Sequence, residues 1–377
     1  MISRKFVRSK HMLAITVSVS GWSAPLGKAI PSAARRTSSP IVASAEVDVD
    51  VAVIGGGPAA YTMAALLSGT HGHEVCLVDP KPDAAWPNNY GSWRVEWEAL
   101  SKRLEMPELL TDCVAKEWKI TDCFFGGSWG MEWEQRSRLD RAYLQVDRSK
   151  LKQALKAKAG EIKVFPTSLK AKAVAPNLFD QNLVHDASGS SLTLADGTAV
   201  RAKLVVDATG FESRLVARES DVDAGLWKPL PPGFQIAYGF TCDIEGDSLG
   251  PYDPAAMTLF DYRTDHLEAA VSKASSQGGA ALAKAEAALK DAEIRPSFMY
   301  VMPEGKVSDA PGCVRAFFEE TSLVGRDERR LEFRTLKERA LTRLDHLGLT
   351  IKPGSVHDEE YCYIPMGGNL PGKLHAA

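Results

Sequence analysis

Cysteine pairs, long apolar runs and an excess of one charge are all missing from this 377-residue sequence. Its six cysteines include no C-x-x-C pair and no histidine–cysteine group at zinc-ligand spacing, so we predict no metal site and a reducing compartment. No stretch approaches the roughly 18 consecutive apolar residues of a membrane helix, so any membrane contact should be peripheral. Lysine and arginine total 45 against 48 acidic residues, without a basic stripe past the N-terminus, which argues against a nucleic-acid-binding protein.

The composition that remains is that of a globular protein, with 45% hydrophobic residues and a length that allows about two domains. The first 45 residues differ from the rest, because they contain seven basic residues, nine serines and no acidic residue. We predict that residues 1–45 are an organelle transit peptide. The basic start and the apolar run 12–19 also fit a secretory signal, and the two together would suit a plastid entered through more than one membrane. A disordered tail without function is the alternative.

The first structural signal is a nucleotide-binding motif. The alternating and then apolar stretch Val47–Ile54 predicts a buried parallel strand, and the G-x-G-x-x-A motif of Gly55, Gly57 and Ala60 follows it directly. In such a motif the first glycine allows a tight turn, the second lets a pyrophosphate approach the backbone, and the alanine permits close packing of helix on strand. The phosphates would therefore lie at the N-terminus of the next helix.

The residues after this motif complete the unit. The apolar spacing predicts a helix over 61–69 and a second strand over 74–78 that ends in Asp79. An acid at this position, about 20 residues after the glycines, binds ribose hydroxyls in dinucleotide-binding domains. Together with Pro58 inside the motif, an acid suited to an unphosphorylated ribose favours FAD over NADP.

Three further segments are informative. Asp147 predicts the N-cap of a helix, and residues 204–210 predict a buried strand that runs into a turn of small residues. Residues 314–324 predict another strand, with Glu319 and Glu320 in its middle. Because neighbouring side chains of a strand point to opposite faces, only one of these acids should face a ligand unless a bulge intervenes. A solvated edge strand with both acids exposed is the alternative.

Seven segments resemble, in their order, those of plant and algal lycopene cyclases: residues 53–60, 87–93, 207–211, 235–239, 302–303, 317–321 and 364–371. The resemblance covers about residues 47–371, and the longer stretches 257–263 and 321–324 are similar to the beta-cyclases. It implies an α/β fold, namely an FAD-binding Rossmann-like doubly wound fold of the glutathione-reductase or hydroxylase type with an interleaved β-rich substrate domain. We expect the FAD-binding domain over 46–215 and the substrate-binding and catalytic domain over 216–377.

The resemblance also implies a chemistry. Lycopene, a linear apolar polyene, would receive a proton at its terminal double bond, and the carbocation would close to a beta ring after loss of another proton, giving gamma- and beta-carotene. Glu319 would be the proton donor and Glu320 a supporting or structural acid. Reduced FAD would stabilise the cation without net redox change, and NAD(P)H would keep the flavin reduced. The protein would be plastidial and peripheral to the envelope or thylakoid membrane.

Two sets of binding residues follow from the same resemblance. The residues implied for the flavin are Gly55, Gly57, Ala60, Asp79, Arg148, Asp207 and Gly210. The residues implied for the substrate and its cation are Tyr90, Trp93, Phe317 and Phe318, and Tyr90 and Trp93 offer aromatic faces that attract cations. A packing role for Tyr90 and Trp93 is the alternative.

The sequence departs from the family pattern at several positions. Phe318 is more typical of the epsilon-cyclases, and Leu144 and Gln145 replace a usual glycine and arginine. The chain ends at Ala377, before the glycine-rich flavin contact and helical region of the relatives, so we expect the second domain to be incomplete. An epsilon-cyclase, another flavoprotein of this fold such as a monooxygenase or prenyl reductase, and an inactive remnant are therefore the alternatives.

Overall fold

The computed structural model describes residues 46–126, 136–169, 183–210, 215, 233–325 and 331–366. Within these ranges no helix combines the length and the apolar character needed to cross a membrane. The elements, in chain order, are β1 (Val47–Ile54), α1 (Pro58–Ala64), a π-helical segment (Ala65–Thr70), β2 (Val75–Val78), β3 (Tyr90–Trp93), α2 (Arg94–Leu104), a 3-10 turn (Pro107–Leu110), β4 (Val114–Trp118), β5 (Ile120–Phe124), β6 (Ser137–Leu139), β7 (Tyr143–Val146), α3 (Arg148–Ala159), β8 (Lys163–Phe165), β9 (Leu183–Asp186), β10 (Gly189–Thr193), β11 (Ala199–Asp207), β12 (Gly233–Glu245), β13 (Ala256–Asp261), α4 (Asp265–Ser275), α5 (Gly279–Ile294), β14 (Ser297–Lys306), β15 (Cys313–Ser322), α6 (Phe333–His346) and β16 (Asp358–Met366).

The first sheet contains the predicted nucleotide-binding unit. Its strand order is β8-β2-β1-β11-β10-β9, with β1 parallel to both β2 and β11. The last four residues of β1 are all buried, as expected for a strand covered on both faces. The predicted helix begins three residues early, because Pro58 is favourable at the first helical position, and it widens into the π-helical segment after Ala64.

The second sheet has the order β16-β12-β15-β14-β13-β5-β6 and is antiparallel except where β13 pairs with β5. One face packs against α6, around buried side chains such as Phe240, Phe318 and Leu336. The opposite face has a smaller apolar cluster that includes Trp118 and Phe317. Because β5 and β6 precede residue 215, this sheet takes strands from both sides of the predicted domain boundary, and the division into domains stays a prediction.

A third sheet, β3-β7-β4, contributes side chains to the apolar clusters of both other sheets. Its strand β7 leads into α3, and the carboxylate of Asp147 accepts hydrogen bonds from the backbone of Ser149 (3.1 Å) and Lys150 (3.0 Å), which is the predicted N-cap. The indole of Trp118, at the end of β4, donates to the carbonyl of Pro303 in β14 (3.0 Å). The third sheet is thereby fixed over the face of the second sheet opposite α6.

Candidate active site

Strand β15 divides its side chains between two environments. Phe317, Glu319 and Thr321 point to the face covered by the third sheet, whereas Phe318 and Glu320 point towards α6. This is the alternation expected of a strand without a bulge at this point. The two adjacent acids therefore belong to different sites.

On the first face, Glu319 meets a second carboxyl group across a glycine. Gly239 of β12 pairs with Glu319 on one side and with Glu360 of β16 on the other, so the three residues form one row. The two carboxyl groups hydrogen-bond to each other, and the Cys362 sulfur lies within 4.8 Å of both. A Cβ at Gly239 would lie 2.9 Å from Glu360 Cγ and 2.6 Å from Phe317 Cζ, so only glycine leaves room for this pair.

The environment favours the protonated form of the pair. Desolvation, followed by the charge of Glu319, raises the pKa of Glu360 to about 8, although the backbone N–H of Asn89 donates to its carboxylate (2.8 Å) and opposes the shift. Desolvation also raises the pKa of Glu319, against the hydrogen bond that the Thr321 hydroxyl donates (2.7 Å). Glu360 is only 6% exposed and Glu319 is less buried, so Glu319 is the member that a ligand can reach.

Aromatic rings surround Glu319. Tyr300, its neighbour on β14, packs edge-on against Phe317 (6.4 Å between centroids) and Tyr143 (6.3 Å), and the two tyrosines hydrogen-bond to each other. Tyr143 also contacts Trp93 edge-on (5.1 Å), while the guanidinium of Arg141 lies 3.8 Å over the Trp93 ring. One face of Trp93 therefore already carries a cation.

A chain of aromatic contacts connects the carboxyl pair to the glycine motif. Burial raises the pKa of Tyr90 to about 12, and the nearby charge of Glu360 contributes to this shift. Its ring packs edge-on against Trp86 (6.3 Å), and the Trp86 indole donates to the carbonyl of Gly56 (2.9 Å). The structure thus brings the predicted cofactor motif and Glu319 into one region.

The glycine motif has the shape of a phosphate-binding turn. Gly55 has a φ of 137°, and a Cβ there would collide with the carbonyl oxygen of Ala208. In the part of the chain that the structure describes, no atom lies within 4 Å of where a Gly57 Cβ would be, at the N-terminus of α1, and Ala60 is fully buried behind it. The backbone therefore leaves open space where a pyrophosphate would bind.

The other predicted flavin residues lie in different positions. Asp79 is buried and accepts hydrogen bonds from the Tyr61 hydroxyl (3.0 Å) and the Lys81 backbone (2.9 Å). Asp207 ends β11 beside β1 and accepts from the Thr209 backbone (3.0 Å) just before Gly210, which has a φ of 92°. Arg148, in contrast, donates to the Pro87 carbonyl and to Asp358 (both 2.7 Å), and so lies by the carboxyl pair.

Phe318 and Glu320 do not join Glu319. The carboxylate of Glu320 is fully buried and accepts from the guanidinium of Arg343 (3.1 and 3.2 Å) and from the Ser297 hydroxyl (2.6 Å). Phe318 packs against Phe240 (5.9 Å between centroids) in the core under α6. The implied role of Phe318 at the substrate is therefore not supported by its placement, whereas the buried ion pair of Glu320 fits a structural acid.

Sequence reasoning missed Glu360, Gly239, Tyr143 and Tyr300. A signal existed for Glu360, because within the polar start of β16 it alternates with Cys362 and both face inwards, whereas Glu359 and Tyr361 are exposed. No local pattern indicated that Glu360 lies opposite Glu319, since the two residues are on different strands with β12 between them.

Replacing Gly239 with Ala should overpack this row. We expect the free energy of unfolding to fall by about 1–3 kcal/mol, because the new methyl group forces Phe317 and Glu360 apart. Urea unfolding measures the change, with Gly325→Ala as the control, since no atom lies within 4 Å of the Cβ position of Gly325. Equal stability of the two variants would show that the row has room for a side chain.

Comparisons with known proteins show what the chain is similar to. Residues 50–376 match the family model described as lycopene cyclase protein. The chain is 33% identical to the chloroplastic lycopene beta cyclase of Solanum lycopersicum, with 98% of this chain and 62% of that protein covered, and 33% identical to that of Arabidopsis thaliana, with 86% and 52% covered. It is also 34% identical to the chloroplastic neoxanthin synthase of Solanum lycopersicum, with 85% and 52% covered. The chain thus spans about half to three-fifths of the length of these relatives.

Two solved structures have the same fold. The amino acid oxidase NikD, essential for nikkomycin biosynthesis, aligns with a TM-score of 0.51 at 15% identity, over 84% of this chain and 81% of that one. The p-nitrophenol 4-monooxygenase PnpA of Pseudomonas putida aligns with a TM-score of 0.50 at 13% identity, over 84% and 68%. These likenesses and the sheet topology confirm the predicted fold class.

Proposed function

Because the chain belongs to the lycopene cyclase family, we propose that it closes a beta ring at an end of lycopene by acid catalysis. Gamma- and beta-carotene would be the products. Relatives named as chloroplastic lycopene beta cyclases support the beta ring and a plastid location. Peripheral contact with a plastid membrane, from which an apolar polyene would enter, belongs to the same proposal.

The observation that carries this proposal is the buried carboxyl pair of Glu319 and Glu360. An alkene is a weak base, so its protonation requires an acid that keeps its proton at neutral pH inside an apolar cavity. Both members of the pair have raised pKa values, and Glu319 is the more accessible one. Glu319 would therefore deliver the proton, as the family resemblance implies, and this chemistry would involve no metal.

The surrounding residues suit a carbocation. After protonation the positive charge lies on a tertiary carbon until a neighbouring double bond attacks it, and water must be excluded during that time. Phe317, Tyr300 and Tyr143 offer apolar rings beside Glu319, with Met302 and Trp118 in the same cluster. Aromatic faces stabilise cations without reacting with them. Tyr90 fits such a role, whereas Trp93 has only one face left.

FAD fits the glycine motif, because Gly57 is open at the N-terminus of α1 and Asp79 directly follows β2. When bound and reduced, FAD would supply electron density opposite the cation without being consumed, and NAD(P)H would serve as its reductant. The same turn would be shaped by Gly55, Ala60, Asp207 and Gly210. Arg148 would place its positive charge near the carboxyl pair.

Replacing Gly57 with Ala should weaken FAD binding about tenfold or more without unfolding the protein. The added methyl group meets no atom of the described residues within 4 Å, so its cost of at least about 1.4 kcal/mol falls on the ligand. Flavin fluorescence titration measures the dissociation constant, with Gly325→Ala as the control because its Cβ position is equally open. Unchanged affinity would mean that the pyrophosphate does not approach Gly57.

Expression of the chain in bacteria that accumulate lycopene tests the function. We expect carotenoids with beta rings and no added oxygen, identified by chromatography and mass. Epsilon rings would identify an epsilon-cyclase, and oxygenated or hydrogenated products a monooxygenase or a reductase of the same fold. Unchanged lycopene from a soluble, flavin-containing chain would favour the inactive remnant.

A further inference from the structure

Glu360 has no role in the mechanism that the sequence suggested, yet its carboxyl group is fixed by several contacts, as that of Glu319 is. It is almost fully buried, it hydrogen-bonds to Glu319 across Gly239, and the Asn89 backbone N–H donates to its Oε2 (2.8 Å). A lone buried acid would not need such an arrangement. Two carboxyl groups in contact cannot both ionise at low cost, so one proton remains between them.

We propose that Glu360 is a positioning residue that shares one proton with Glu319 and returns it after each ring closure. This proposal rests on the proposed function, because the reaction gives the proton its destination. It explains why Gly239 separates the two acids and why the less accessible acid is kept in an apolar site.

The pair gives one proton to the substrate and takes one proton back. In the resting pair the shared proton lies on Glu319 for transfer. The O–H bond of Glu319 breaks as a C–H bond forms at the terminal double bond, which leaves two carboxylates whose repulsion is offset by the new carbocation beside them. Attack of the neighbouring double bond then forms the ring bond and moves the positive charge to a ring carbon. The carboxylate pair takes the adjacent ring proton, and the C–H electron pair becomes the new double bond. No oxidant or reductant is consumed.

One cation and several neutral groups face the pair. The positive charge of Arg148 lowers the pKa of Glu360, and Arg148 also forms an ion pair with Asp358. Burial raises the pKa of each of the other neighbours well into the alkaline range, so they stay neutral where the pair titrates; they are Tyr90, Tyr143, Tyr300 and Cys362.

The kinetic test uses Glu360→Gln, with Glu359→Gln as the matched control. Glutamine keeps the size and the acceptor for Asn89 but removes the second charge, so the pKa of Glu319 falls. We expect the alkaline limb of the kcat/KM profile to move to lower pH by about one unit or more, with smaller loss of activity at acid pH. Glu359 points to the opposite face and pairs with Lys337, so its variant should keep the original limb. An unmoved limb in Glu360→Gln would overturn the proposal.

A second readout does not need catalysis. Isotope-edited infrared spectroscopy of the glutamate-labelled chain follows the protonated carboxyl band as pH rises. We expect a band that persists to about pH 8 in the original chain and disappears at lower pH in either Glu319→Gln or Glu360→Gln. If each single variant leaves the band of the other residue unchanged, the proton is not shared and the proposal is wrong. Failure of ring formation alone, with the shared band present, would instead count against the proposed function.

Discussion

Replacing Glu319 with Gln is expected to lower the rate of ring formation about 100- to 10,000-fold, the usual contribution of a general acid. Glutamine has the same shape but no acidic proton, and Glu360 lies too deep to replace it as the donor. The rate of carotenoid formation by purified protein with reduced FAD measures the effect. Because the side chain is nearly isosteric, we expect the flavin content and the melting temperature to change little.

Glu304→Gln is the matched control for this experiment. Glu304 lies on β14 in the same sheet, and burial also raises its pKa, but it has no contact with the Glu319 pair in the described residues. We expect its variant to keep a rate within about threefold of the original, since it removes no proton from the reacting site. Equal rates for the Glu319 and Glu304 variants would exclude Glu319 as the acid.

Replacing Glu320 with Gln should instead affect folding. Its carboxylate and the guanidinium of Arg343 are both fully buried, so the neutral amide leaves a buried cation without its main partner. Breaking such a pair from one side costs about 3–5 kcal/mol, a large share of the total stability of a domain. Urea unfolding of the purified variant should show this loss, and expression of soluble protein should fall with it.

The control for Glu320 is an exposed ion pair. Arg334 and Glu338 pair on the surface of α6, with the arginine side chain 82% exposed. We expect Arg334→Gln to change the free energy of unfolding by less than about 1 kcal/mol. The folded fraction of Glu320→Gln should keep the alkaline limb that the original chain shows when kcat/KM is plotted against pH. If stability is unchanged and turnover is lost, Glu320 rather than Glu319 carries the chemistry.

These two acids illustrate what the sequence can and cannot predict. Strand periodicity predicted β1, the glycine turn and β15, because these depend on neighbouring residues. It also predicted that Glu319 and Glu320 face opposite sides. The same alternation places Phe318 with Glu320, and the family-based assignment of Phe318 to the substrate did not take this into account.

The partner of Glu319 depends on information that no local pattern contains. Glu360 reaches Glu319 only because β12 pairs with both β15 and β16, and because the residue between them is Gly239. Strand order and register over such distances are set by the packing of the whole sheet. The aromatic rings beside Glu319 are also brought together by the packing of the sheets, since Tyr143 and Tyr300 come from different sheets.

The most direct test of acid catalysis without net redox change is the product formed in heavy water. Purified chain, dithionite-reduced FAD and lycopene in liposomes are incubated without air or nicotinamide, and the carotenoids are analysed by mass and by NMR. We predict beta rings that each contain a single deuterium, at the carbon that accepts the exchanged Glu319 proton. Rings without deuterium, or products that have gained oxygen or lost hydrogen, would contradict it.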